Sequence, residues 1–121
     1  LCGAAPEIDL RYLRETSQGD DAQVQKMLAA LAASNQQDMA RLLAMFVAGD
    51  RKGLMGLAHG VKGGARLIDA RDVIHQCERL EDACAASHAP ELTETVDALY
   101  QSMERLDELL APYLDDDESG A

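Results

Sequence analysis

Leu92, Val96, Leu99, Met103, Leu106 and Leu110 follow one another at alternating steps of four and three residues. That spacing gathers six apolar side chains on one narrow stripe of an α-helix, the seam by which helices pack into a bundle. A strand, with its two-residue period, scatters them over both faces. The rest of the chain follows the same rule: β-branched residues are few, and alanine and leucine recur at three- and four-residue steps, so the sequence predicts an all-α fold.

Ile8, Leu10, Tyr12 and Leu13 mark a short opening helix that stops near Gln18-Gly19, where glycine suits a helix end. Asp20 is placed to cap the next helix. From about Asp21 to Ala48, Val24, Leu28, Leu31, Met39, Leu42, Leu43 and Phe46 trace the apolar face of a helix about 40 Å long, with Asn35 and Gln36 as its weakest point. Gly49-Asp50 reads as a turn, a third helix runs from about Lys52 to Ile68, and Asp69 is expected to cap a fourth. That fourth helix uses Val73, Cys77, Leu80 and Cys84 as its seam and fades at Ala86-Ser87. Pro90 suits the first turn of the fifth, and Pro112 weakens its end. The expected organisation is a single domain over residues 1–121, with a core at about 9–114 and a flexible acidic tail at 115–121. A start without methionine and the acidic end suggest a domain taken from a longer protein.

A chain of 121 residues, 47% of them apolar, is enough for one compact core. Its 22 acidic against 11 basic residues give a net charge of -11, which disfavours nucleic-acid backbones and points to proteins as partners. Cys2, Cys77 and Cys84 are an odd set at irregular spacing, a poor disulfide framework that fits a reducing cytoplasm. No stretch reaches the about 18 uninterrupted apolar residues of a spanning helix, so no direct membrane contact is expected.

Within this acidic chain, Arg51 to Ile68 holds Arg51, Lys52, Lys62 and Arg66 and no Asp or Glu. The same stretch carries Gly53, Gly56, Gly60, Gly63 and Gly64, five of the chain's 9 glycines, although each costs a helix interior about 1 kcal/mol relative to alanine. At about 100° per residue, Leu54, Leu57, Val61, Ala65 and Ile68 gather on one side, while His59, Lys62 and Arg66 fall roughly opposite. His59 is therefore expected to face solvent, with bare backbone on one flank and cations on the other. Such a site suits an anionic transient such as a phosphoryl group, or an acidic protein surface. Spacing and charge alone leave a plainer reading equally open, in which small residues serve helix packing and the histidine is merely solvated.

The run His59-Gly60-Val61-Lys62-Gly63-Gly64-Ala65, followed by Ile68, Ala70, Cys77 and the pair Leu80-Glu81, resembles the histidine-containing phosphotransfer (HPt) domain. That family's pattern is a His-x-x-Lys-Gly core, then a small residue, then a Leu-Glu pair one helix later. The resemblance covers about Asp9 to Leu114 and is greatest to domains at the C-terminus of bacterial hybrid sensor histidine kinases. It implies an antiparallel four-helix bundle with a short additional N-terminal helix. It also implies that His59 takes a phosphoryl group from an aspartate of one receiver domain and passes it to an aspartate of another, with Nε2 attacking. Lys62 would offset the charge that a loose phosphoryl transition state spreads over its oxygens. Gly60, Gly63, Gly64 and Arg66 would meet the receiver, and Met55 and Leu67 would supply apolar docking contacts. Gly64 stands where the family often has serine or alanine. The Mg²⁺ that transfer requires would sit in the receiver's acidic pocket, so the domain itself needs no cofactor and no metal. The parent would be a cytoplasmic protein or the cytoplasmic part of a membrane-bound sensor kinase, and the isolated domain a monomer.

Dimerisation helices of histidine kinases usually carry an acidic residue directly after the phosphorylated histidine. Here that position is Gly60, and no glycine-rich ATP-binding segment accompanies it, so a phosphocarrier is expected rather than an ATP-dependent kinase. A second class of function is a docking module for receivers that is never phosphorylated. His75, Cys77, Cys84 and His88 fit no standard zinc spacing; Cys77 and Cys84 lie on an apolar seam, where cysteine acts as a small hydrophobe. Glu81, near that seam, is expected to make a structural hydrogen bond or ion pair, and Glu104, Asp107 and Glu108 a solvated face.

Overall fold

The computed structural model describes residues 8–86 and 89–119. These form five helices: α1 (Arg11–Thr16), α2 (Asp21–Ala48), α3 (Arg51–Leu67), α4 (Arg71–Ala86) and α5 (Ala89–Ser119). α2 packs on α3, α3 on α4, α4 on α5 and α5 back on α2, which closes a four-helix ring, while α1 leans on α2. All six seam residues of α5 are buried, and Leu13, Leu28, Leu42, Leu54, Ile68, Leu80, Leu99, Met103 and Leu110 form the most enclosed part of the core.

The turns follow from local chemistry. Asp20 accepts from the amides of Ala22 and Gln23 and so caps α2 as expected. Gly49, at φ +68°, takes the left-handed conformation, and the amides of Gly49 and Asp50 return to the carbonyls of Phe46 and Met45. At the end of α3 the same hydrogen-bond pattern falls on an aspartate. Asp69 has φ +49°, its amide reaches Arg66 O, and the Ala70 amide reaches Ala65 O. The expected cap of α4 is therefore the terminating residue of α3, because short polar side chains tolerate that conformation better than most.

Asn35 and Gln36 do not interrupt α2. Asn35 is buried, and its Nδ2 donates to Met103 O at 2.9 Å and to Asp107 Oδ1 at 2.8 Å. Gln36 donates to the other oxygen of Asp107. Asp107, expected as part of a solvated face, is half-buried and ties α5 to α2. Leu43, expected on the apolar face of α2, is exposed, and Val47 is 85% exposed. Pro112 lies inside α5, and the backbone of 115–119 continues that helix beyond the expected end of the core. Residues 120–121 of the expected tail, and Cys2 and His88, lie outside the described residues. No helix among the described residues is long and apolar enough to cross a membrane.

Candidate functional site

Asp50 begins α3 by accepting the Gly53 amide at 2.8 Å. A β-carbon at Gly53 would lie 2.3 Å from the Asp50 carboxylate, so this glycine serves the cap. Leu54, Leu57, Ala58 and Ala65 then turn into the core. Their burial fixes the helix's rotation and sends His59 outward, with 77% of its side chain exposed.

α4 supplies what stands beside it. Cys77, Leu80 and Cys84 are buried along the α4 seam, which carries Glu81 to the edge facing α3. There one carboxylate faces two nitrogens: Oε1 accepts from Lys62 Nζ at 2.7 Å, and Oε2 lies 3.5 Å from His59 Nδ1. Lys62 does not stand free in solvent as the wheel suggests. Its side chain is 12% exposed and that of Glu81 21%, so the ion pair is sheltered where its attraction is little screened. Glu81 does make the expected ion pair, and it reaches the histidine as well. A single-helix wheel carries no signal for that contact, since it depends on how α4 is rotated against α3; the spacing of the α4 seam is the only hint.

On the flank toward α2, Gly60 and Gly63 are exposed. A β-carbon at Gly56, Gly60 or Gly63 would meet nothing within 4 Å, and one at Gly64 would only touch Leu31 at 3.5 Å. The packing of the free domain thus does not require these glycines. Gly60 and Gly64 open a slot of about 170 Å³ against Leu31, Ser34 and Asp38. Burial pushes the Asp38 carboxyl above its ordinary value, partly offset by Arg41.

The four cations of α3 have different occupations. Arg51 donates to the carbonyls of Ala83 and Cys84 near the end of α4, and Lys62 holds Glu81. Lys52 and Arg66 are exposed and have no partner among the described residues. Met55 is exposed on the histidine's face, whereas Leu67 is half-buried against the core and offers less docking surface than expected. Cys77 and Cys84 are free, buried thiols, and burial, with Glu81 nearby, pushes Cys77 up to about 12. Among the described residues no group of three or more His, Cys, Asp or Glu is placed to hold a metal ion.

The site therefore offers an exposed imidazole whose inner nitrogen faces a carboxylate, with a lysine one turn on and bare backbone at its side. A model of the Hpt domain family matches residues 14–111. Among solved structures, the fold is similar to that of histidine-containing phosphotransfer protein B from Pseudomonas aeruginosa PAO1, with a TM-score of 0.81 and 19% sequence identity over 93% of this chain and 98% of that one. No curated protein sequence matches.

Proposed function

This chain belongs to the Hpt domain family, whose role is histidine phosphotransfer within a phosphorelay and whose partners are receiver domains, and from that premise we propose that His59 is its phosphoryl carrier. The observation that carries this is the exposed His59 ring with Nδ1 turned to Glu81. A proton on Nδ1, held toward Oε2, leaves the lone pair on Nε2, the nitrogen presented to solvent. Nε2 attacks the phosphorus of a receiver's aspartyl phosphate; the N–P bond forms, the P–O bond breaks, and the aspartate leaves as a carboxylate. The ring then carries a positive charge with its Nδ1 proton still in place. Glu81 stabilises that charge without taking the proton, so the imidazole remains a good leaving group for the next aspartate.

Lys62, held by Glu81 one turn on from the histidine, sets positive charge near the phosphoryl oxygens, while Arg66 meets the receiver's acidic rim. Gly60, Gly63 and Gly64 leave room for the receiver's loops, and Met55, with the exposed edge of Leu67, meets its apolar rim. Mg²⁺ belongs to the receiver's acidic pocket, and this domain binds no cofactor. In this reading the domain acts as a monomer in the cytoplasm, as a relay within or alongside a hybrid sensor kinase.

Incubation with a phosphorylated receiver domain and Mg²⁺ tests the proposal. Acid-labile, base-stable phosphate is expected on the wild-type domain and absent from His59→Gln. Label that persists in the variant removes His59 from the role.

A further inference from the structure

Lys52 is placed where the fold gives it no use. It lies in the first turn of α3, a turn without any acidic residue, and a cation there opposes the positive end of the helix dipole. Its neighbour Arg51 is accounted for by the α4 carbonyls it holds; Lys52 is exposed and unpartnered among the described residues. A step of seven residues returns to nearly the same face of a helix, so Lys52, His59 and Arg66 form one outward row, with each cation about 10 Å from the histidine along the axis. Arg66 has a structural use as well, since it lies in the last turn of α3, where the dipole favours it. The acids around Arg66 are largely engaged: Asp9 by Arg11 and Asp69 by Arg71. In a chain of net charge -11, these two free cations bracket the exposed imidazole.

We propose that Lys52 and Arg66 are an electrostatic guide, set at either end of the His59 face, that draws in and orients the acidic surface around a receiver's phosphorylation pocket. The proposal rests on the phosphotransfer reading and adds to it the residues that govern encounter. Steering of this kind raises the association rate and fades with salt, while the chemical step after docking is set by His59, Lys62 and Glu81. Two separated charges also define an axis, along which the receiver's acidic surface aligns.

The test uses the whole domain with a response-regulator receiver domain charged by acetyl phosphate in the presence of Mg²⁺. Transfer is followed by rapid quench over a range of receiver concentrations, at low and high NaCl. Lys52→Glu and Arg66→Glu are each expected to lower the second-order rate constant about tenfold at low salt, with the gap to wild type closing at high salt and the saturating rate much less affected. Arg79→Glu changes the net charge equally but lies on α4 on the side facing α5, and is expected to transfer much as wild type does. Lys52→Glu is also expected to melt at or above the wild-type temperature, because it places an acid at a helix N-terminus. Wild-type salt dependence and rate in both α3 variants, or equal loss in Arg79→Glu, overturns the guide and leaves the phosphotransfer reading standing. Failure of several charged receivers to label the wild-type domain overturns that reading, and the guide with it.

Discussion

One carboxylate lies between Lys62 and the proposed carrier His59. Glu81→Gln keeps the shape of the side chain but removes its charge, so it satisfies Lys62 or His59 less well and no longer stabilises a charged ring. Transfer is expected to slow about tenfold, the size of one lost charge-assisted hydrogen bond, with unchanged helical circular dichroism; a wild-type rapid-quench rate would remove Glu81 from the site. The glycine flank gives a prediction of opposite sign for stability. Because a β-carbon at Gly60 meets nothing within 4 Å, Gly60→Ala is expected to stabilise the domain by about 0.5–1 kcal/mol in urea unfolding while slowing transfer through crowding at the docked receiver. What the sequence made legible here is what one helix decides by itself. The outward direction of His59 follows from the apolar stripe of α3. The shelter of Lys62 and the reach of Glu81 required knowing how two helices are rotated against each other, and Gly53, one of the five glycines of the stretch, serves the Asp50 cap.

The elements themselves were largely readable, since apolar spacing, Asp20, Gly49 and Pro90 mark ends and faces through local chemistry. Where the reading missed, a distant partner altered the local preference. Asn35 is a poor helix former in isolation, yet in α2 it is the buried tie to Met103 O and Asp107. Asn35→Ala removes the buried donor that this carbonyl and carboxylate share, leaving Asp107 only its contact with Gln36, and is expected to cost about 1–3 kcal/mol. Asp50→Ala removes only a solvent-exposed cap and is expected to cost about 1 kcal/mol. Thermal melts of the two variants check this order. An equal or smaller loss in Asn35→Ala would mean that the α2–α5 tie adds little to the fold.

For the molecule as a whole, a net charge of -11 means that mild acidification first relieves self-repulsion. Specific carboxylates then reverse the trend. Hydrogen bonds from Arg11 to Asp9 hold that group at about 2. Burial pushes Asp72 up, but hydrogen bonds from Arg105 and Ser102 outweigh it and leave the carboxyl below its ordinary value. A carboxyl whose folded pKa is depressed adds stability above its unfolded value, about 3.9, and loses it as pH falls through the folded value. Asp38 has the opposite sign: raised by burial, it opposes folding at neutral pH and ceases to do so once protonated. Stability is therefore expected to hold or rise from pH 7 to about 5 and to fall below about 4, where Asp9 and Asp72 take up protons in the unfolded chain before they do in the folded one. Two variants separate these contributions in urea unfolding at pH 7, 5 and 3. Asp72→Asn is expected to be weaker than wild type at neutral pH, with the difference shrinking at pH 3. Asp38→Asn is expected to be the stronger at neutral pH, and its advantage shrinks in acid. A constant offset for Asp72→Asn across the three pH values would mean that shape and packing, and not the ionised carboxylate, join α4 to α5 at that corner of the bundle.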